Sequence, residues 1–123
     1  MNSKKIHFVI FLLYTIGANE LHNIPFTSNE PRIEFYIDED VYTSIIMNGV
    51  VGVGKGIGDE KDIIIRTSKM EAIKMLRNGD YVTESFANGG SSIELVAGKV
   101  TLFAKGYLSL YTGLTGEEAD IEE

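Results

Sequence analysis

Between Arg32 and Met47 apolar and polar residues largely alternate, and after Ser68 the apolar spacing lengthens to that of a helix. Ile33, Phe35 and Ile37 interleave with Glu34, Tyr36 and Asp38, the pattern of a half-buried strand. Asp38-Glu39-Asp40 reads as a turn, and Val41 to Met47 (VYTSIIM), β-branched and aromatic, as a second strand. Asn48-Gly49 is a strong hairpin signal: both central residues of such a turn take positive φ, which Asn tolerates and Gly adopts freely. Val50 to Val53 therefore returns antiparallel. Asp62 to Arg66 (DIIIR) predicts another strand, its three isoleucines implying burial on both faces.

Ser68 and Glu71 stand at capping-box spacing, so a helix is expected over 69–77. Met70, Ile73 and Leu76 mark its apolar face, and Asn78-Gly79 stops it. Tyr81, Val82 and Phe86 suit a further short helix, and Ser92 to Val96 alternates as a strand ending before Gly98. From Lys99 to Leu114 the pattern is double. Val100, Phe103, Tyr107, Leu110, Tyr111 and Leu114 mark one helical face, while Val100, Leu102 and Ala104 alternate as in a strand. Helix is the preferred reading for the C-terminal half, with Gly106 a break in either case.

Ahead of these elements, Lys4-Lys5 precede an apolar run from Ile6 to Ala18. Three readings stay open: a secretory signal, a retained helix packed against a sheet, or a segment lying on a membrane surface. The run falls short of the ~20 residues a bilayer span needs. Residues 23–31 form a linker holding both prolines, so the expected layout is an N-terminal segment 1–22, that linker, one domain over 32–116 and an acidic tail 117–123.

Composition narrows the chemistry. A chain of 123 residues, 44% hydrophobic, suits one ordinary globular core. Without cysteine there is no disulfide, thiolate site or cysteine nucleophile, which leans towards a reducing, cytoplasmic setting, with export the alternative if residues 1–18 are a signal. Five acidic groups in the last seven residues reduce the net charge of −7 to −2 over residues 1–116, and no basic run exists to track a phosphate backbone, so nucleic acid is not an expected partner. Gly52 to Gly58 (GVGKGIG) lacks the Ser or Thr after Lys55 that a phosphate loop requires, and a glycine-rich hairpin arm explains it better. His7 and His22 have no partner at ligand spacing, and Asp59, Glu60 and Asp62 lack the alternation of a calcium loop. Ser91-Ser92 sits in no nucleophile elbow. Neither a catalytic residue, nor a metal, nor a cofactor is expected, and an enzyme is not.

The order of these features resembles the sterol carrier protein type 2-like (SCP2-like) domain. Asp62 to Ser68 (DIIIRTS) leads into the capped helix, Phe86-Ala87-Asn88-Gly89 follows, and Ile93 to Gly98 (IELVAG) precedes a closing apolar segment. The match covers about residues 32–114. It implies an α+β fold: a mostly antiparallel, roughly five-stranded sheet, helices packed on one face, and an apolar cavity between them. It also implies binding or carriage of a lipid or other apolar small molecule, lined by Ile73, Leu76, Phe86, Phe103, Tyr107, Leu110 and Tyr111. The alternative is a structural or interaction module, membrane-associated through residues 6–18 or a homodimer paired along an edge strand at Arg32–Asp38.

Overall fold

In the computed structural model, which describes residues 3–119, a five-stranded sheet of order β3-β2-β1-β4-β5 carries the helices on one face. Its strands are β1 (Arg32–Ile37), β2 (Asp40–Met47), β3 (Val50–Lys55), β4 (Ile63–Thr67) and β5 (Ser92–Leu95). The helices are α1 (Ser3–Thr15), α2 (Lys69–Arg77), α3 (Tyr81–Ala87), α4 (Lys99–Lys105) and α5 (Tyr107–Thr115), with a short 3-10 turn at Ala18–Glu20. Neighbouring strands are antiparallel except β1 and β4, which run parallel. The proposed acidic tail lies mostly at 120–123, outside the described residues.

The register explains the core. Ile33, Phe35 and Ile37 pair along one face with Ile63, Ile65 and Thr67, and all six are buried. Val9, Leu12 and Leu13 of α1 close over the same core with Ala72 and Met75 of α2 and Phe86 of α3. Each of the larger of these apolar side chains contributes about 1.5–3 kcal/mol of burial. The N-terminal apolar run is thus a helix sharing the core of the sheet. Its exposed residues include Lys4, His7, Phe11 and Tyr14. Asn48 and Gly49 take φ of 53° and 80°, and Met47 faces Val50 across the two-residue turn as the hairpin signal requires.

Four expectations change. Arg32–Asp38 does not lie at a sheet edge: β1 sits between β2 and β4, because parallel pairing with β4 fills the side left free by the hairpin. The edges are β3 and β5, and at β3 the Tyr14 hydroxyl accepts a bond from the Val51 N–H at 3.2 Å, which blunts the free edge. The closing segment does not present one face. Gly106 at φ 92° separates α4 from α5, so Val100 and Phe103 are 80% and 73% exposed while Tyr107 and Leu114 are buried. The buried residues of α2 are Ala72 and Met75, with Met70 68% exposed. The capping box is half made: Ser68 Oγ accepts the Glu71 N–H at 3.1 Å, but the Glu71 carboxylate turns away from the helix start.

Candidate functional site

Of the clefts among the described residues, two bring α1 together with another part of the fold. The first, about 490 Å³, lies between the end of α1 with its 3-10 turn and α5. Ile16, Leu21, Val82, Leu110 and Leu114 give it an apolar floor, and Thr15, Glu20, His22 and Ser109 a polar rim. Glycines shape it. Gly17 and Gly106 both adopt φ 92°, which favours glycine, and a Cβ on Gly106 would also press the His22 ring at 3.3 Å. The second, about 320 Å³, has Phe8, Ile37 and Tyr42 as its floor and Lys4, Lys5 and Lys69 at its rim. There Lys5 Nζ lies 3.8 Å from Asp40.

What fixes α5 against the first cleft is a buried charge cluster. Asp62 Oδ2 accepts hydrogen bonds from Lys105 Nζ at 2.9 Å, the Tyr107 hydroxyl at 2.8 Å and the Arg32 N–H at 2.9 Å. Lys105 Nζ also donates to the Glu30 carbonyl at 2.8 Å. Both charged side chains are nearly inaccessible, at 2% and 10% exposure. Burial, and then the Asp62 charge, push the Tyr107 phenol far above its ordinary range, so it stays protonated and donates. The cluster ties the junction of α4 and α5 to the starts of β1 and β4. Asp62, one of the three acids that lack the alternation of a calcium loop, is engaged in it through Oδ2.

A second polar cluster links α2, α3 and β5. Glu71 Oε1 accepts from Tyr81 OH at 2.8 Å and Ser85 Oγ at 2.7 Å. Ser85 Oγ meets Ser91 Oγ at 2.7 Å, and Ser91 meets Thr67 Oγ1 at 2.8 Å. The bonds from Ser85 and Tyr81 hold the Glu71 carboxyl below its ordinary value, which suits an acceptor and weakens a base. Outside the helix layer, burial pushes the Glu34 carboxyl up, but bonds from Lys61 and Tyr36 outweigh it and hold the group below its ordinary value.

The residues expected to line an apolar site fall in different places. Leu110 lines the first cleft. Ile73, Leu76 and Tyr111 are half-buried, Phe86 is buried behind the α3 surface, Phe103 faces solvent, and Tyr107 is buried with its hydroxyl on Asp62. Sequence reasoning missed Asp62 with Lys105, and Ile16, Leu21 and Val82 of the cleft. Among the described residues no helix is long and apolar enough to cross a membrane.

No known family profile and no curated protein matches the chain. Solved structures do. A double mutant of the sec-alkyl sulfatase PisA1 matches at TM-score 0.51 and 10% identity, over 84% of this chain and 15% of that one. The stereoselective inverting sec-alkylsulfatase Pisa1 from Pseudomonas sp. matches at TM-score 0.49 and 10% identity, over 76% and 13%. The chain thus spans only about a seventh of these enzymes' length, and the likeness to the first is one of fold over a single segment. The chain's own sheet order and helix layer define its class, an α+β domain of five strands with helices on one face. A UbiJ-SCP2 ubiquinone synthesis protein is also similar, at TM-score 0.47 and 12% identity over 94% of this chain and 89% of that one.

Proposed function

We propose that this chain binds and carries a lipid or other apolar small molecule without transforming it, in the cleft between α1 and α5. The observation that carries the reading is the cleft itself: its volume of about 490 Å³ lies in the range of small-molecule sites, and Ile16, Leu21, Val82, Leu110 and Leu114 offer apolar contact beneath its polar rim. The resemblance of residues 32–114 to SCP2-like domains supports the same ligand class. In this reading Leu110 touches the ligand. Phe86 and Tyr111 sit on the same two packed helices as Val82 and Leu110, so a ligand that penetrates between α3 and α5 reaches them next. Ile73, Leu76, Phe103 and Tyr107 are not among the residues that line the cleft.

Native mass spectrometry of the full chain, purified without detergent, tests this. A lipid-sized increment above 13.6 kDa, lost in Leu110→Arg, is the expected result. A bare mass for the unsubstituted protein, with no binding of a fluorescent fatty-acid probe, would overturn it. A second reading, an interaction module, is favoured by the apolar side chains left in solvent, Phe26 at 106% and Phe103 at 73% exposure among them; a bare dimer would move the balance to it.

A further inference from the structure

Residues 23–29 form a tight, heavily bonded loop that holds a phenylalanine in water. The Thr27 N–H donates to the Ile24 carbonyl at 3.1 Å, and the Ile24 N–H to the Asn29 carbonyl at 3.2 Å. Asn23 Nδ2 donates to the Thr27 carbonyl at 3.2 Å, and Thr27 Oγ1 to that of Ile24 at 2.6 Å. Pro25 and Phe26 are the central residues of this turn, and Phe26 has φ 67°. That position ordinarily takes Gly or Asn, since a Cβ there strains the backbone. The chain thus keeps a strained turn whose one large side chain is fully exposed, a combination that points to use.

The loop does not stand alone. Both its ends are pinned to Lys105, the last residue of α4: the His22 N–H donates to the Lys105 carbonyl at 3.1 Å, and Lys105 Nζ to the Glu30 carbonyl at 2.8 Å. From α4 and the end of β5, Val100, Phe103 and Val96 are 80%, 73% and 44% exposed. All lie at the end of the sheet where β1 and β4 begin and β5 finishes. The two Phe and two Val residues together present on the order of 500 Å² of accessible apolar surface, in the upper part of the roughly 300–600 Å² that the largest patch of a monomer covers.

We infer that this end of the molecule, formed by Phe26, Val96, Val100 and Phe103, is a docking surface for a second copy of this chain. Two such patches face to face remove on the order of 1,000 Å² of apolar surface, about what a specific interface needs before its rim is counted. Charge argues the same way. Residues 23–29 and 95–104 carry one charge between them, Lys99, in a chain that is 24% charged, and charge depletion around aromatic anchors marks interface cores. A two-fold contact sets a patch against itself, so an uncharged patch avoids like-charge repulsion. A membrane surface fits less well: docking there pairs apolar insertion with several cations, and residues 23–29 and 95–104 supply one, Lys99. The inference is independent of the ligand reading.

Sedimentation velocity of the full chain across the micromolar range tests it. The expected species is twice 13.6 kDa. Phe26→Gly removes the anchor while relieving the turn, so it should weaken dimerisation roughly thirtyfold or more, as loss of a hot-spot residue does, with no fall in the melting temperature measured on dilute monomer. Phe103→Ser should act in the same direction. Binding of the fluorescent fatty-acid probe should survive Phe26→Gly, which separates this inference from the carrier reading. A monomer at every concentration, a dimer unchanged by Phe26→Gly, or a monomer that sediments with phosphatidylcholine vesicles through Phe26 would each overturn it.

Discussion

Replacing Lys105 with Met should destabilise the fold by about 3–5 kcal/mol, the usual cost of leaving one member of a buried ion pair without the other. The geometry justifies the full figure. Lys105 is 1% exposed, so water screens almost none of its interaction with Asp62. The substitution removes the 2.9 Å bond to Asp62 and the 2.8 Å bond to the Glu30 carbonyl. Asp62 would keep the Tyr107 hydroxyl and the Arg32 N–H, which soften the loss without supplying a counter-charge. Asp62→Ala should cost at least as much, because it strands a buried ammonium and also removes the carboxylate acceptor of the Arg32 N–H and the Tyr107 hydroxyl, leaving the Arg32 N–H only its 3.1 Å bond to that hydroxyl. Tyr107→Phe, which deletes one bond to a carboxylate, should cost about 1.5–3 kcal/mol. For a domain whose total stability is about 5–15 kcal/mol, the first two variants approach unfolding.

Urea unfolding followed by far-ultraviolet circular dichroism, with tyrosine emission as the second probe, gives these values; the chain has no tryptophan to obscure it. The predicted order is Tyr107→Phe, then Lys105→Met, then Asp62→Ala. A cost for Lys105→Met below about 1 kcal/mol at unchanged m-value would refute the claim that the buried pair holds α4 and α5.

Smaller effects follow from the other clusters. Ser68→Ala removes the acceptor of the Glu71 N–H and should cost about 1 kcal/mol by the same unfolding assay. Gly90→Ala should lower Tm by calorimetry, since a Cβ there collides with the Glu71 carboxylate and must displace it from Tyr81 and Ser85. The Glu71 carboxyl is held below its ordinary 4.5, so its contribution is complete above that value and lost as pH falls through the lower folded value. Glu71→Gln should accordingly flatten the fall of Tm below about pH 4.5; an unchanged profile would count against the cluster. Leu110→Arg should abolish lipid-probe binding while leaving the circular dichroism spectrum intact.

Local chemistry was legible in the sequence and long-range assembly was not. Asn48-Gly49 and Ser68 act through their own neighbours, so the hairpin and the start of α2 fall where the residues place them. The isoleucine run of β4 is buried on both faces as its continuity implies, with Ile63, Ile64 and Ile65 at 0%, 7% and 1% exposure. The central place of β1 depends on parallel pairing with a strand reached only after a hairpin, which no periodicity encodes. Lys105 looks like any surface lysine until Asp62, 43 residues away in sequence, is set beside it. The cleft draws on α1, α3 and α5, so its lining was visible only where one stripe, that of Leu110, happened to contribute.

The buried pair also bears on why the molecule is built this way. An apolar pair of similar volume is often no less stable than a buried ion pair, so stability alone does not explain Asp62 and Lys105. What leucine and methionine lack is direction. The carboxylate fixes the Arg32 N–H and the Tyr107 hydroxyl together, and the ammonium fixes the Glu30 carbonyl, so one cluster sets the loop before β1 and the junction beside the cleft. The double variant Asp62→Leu with Lys105→Met should therefore recover part of the stability lost by Lys105→Met alone. Hydrogen exchange should nonetheless quicken at residues 22–32 and 105–110, with protection across β1 to β4 beyond Arg32 retained. If exchange at 22–32 stays as slow as in the unsubstituted protein, packing rather than the charge pair positions both the cleft and the Phe26 loop.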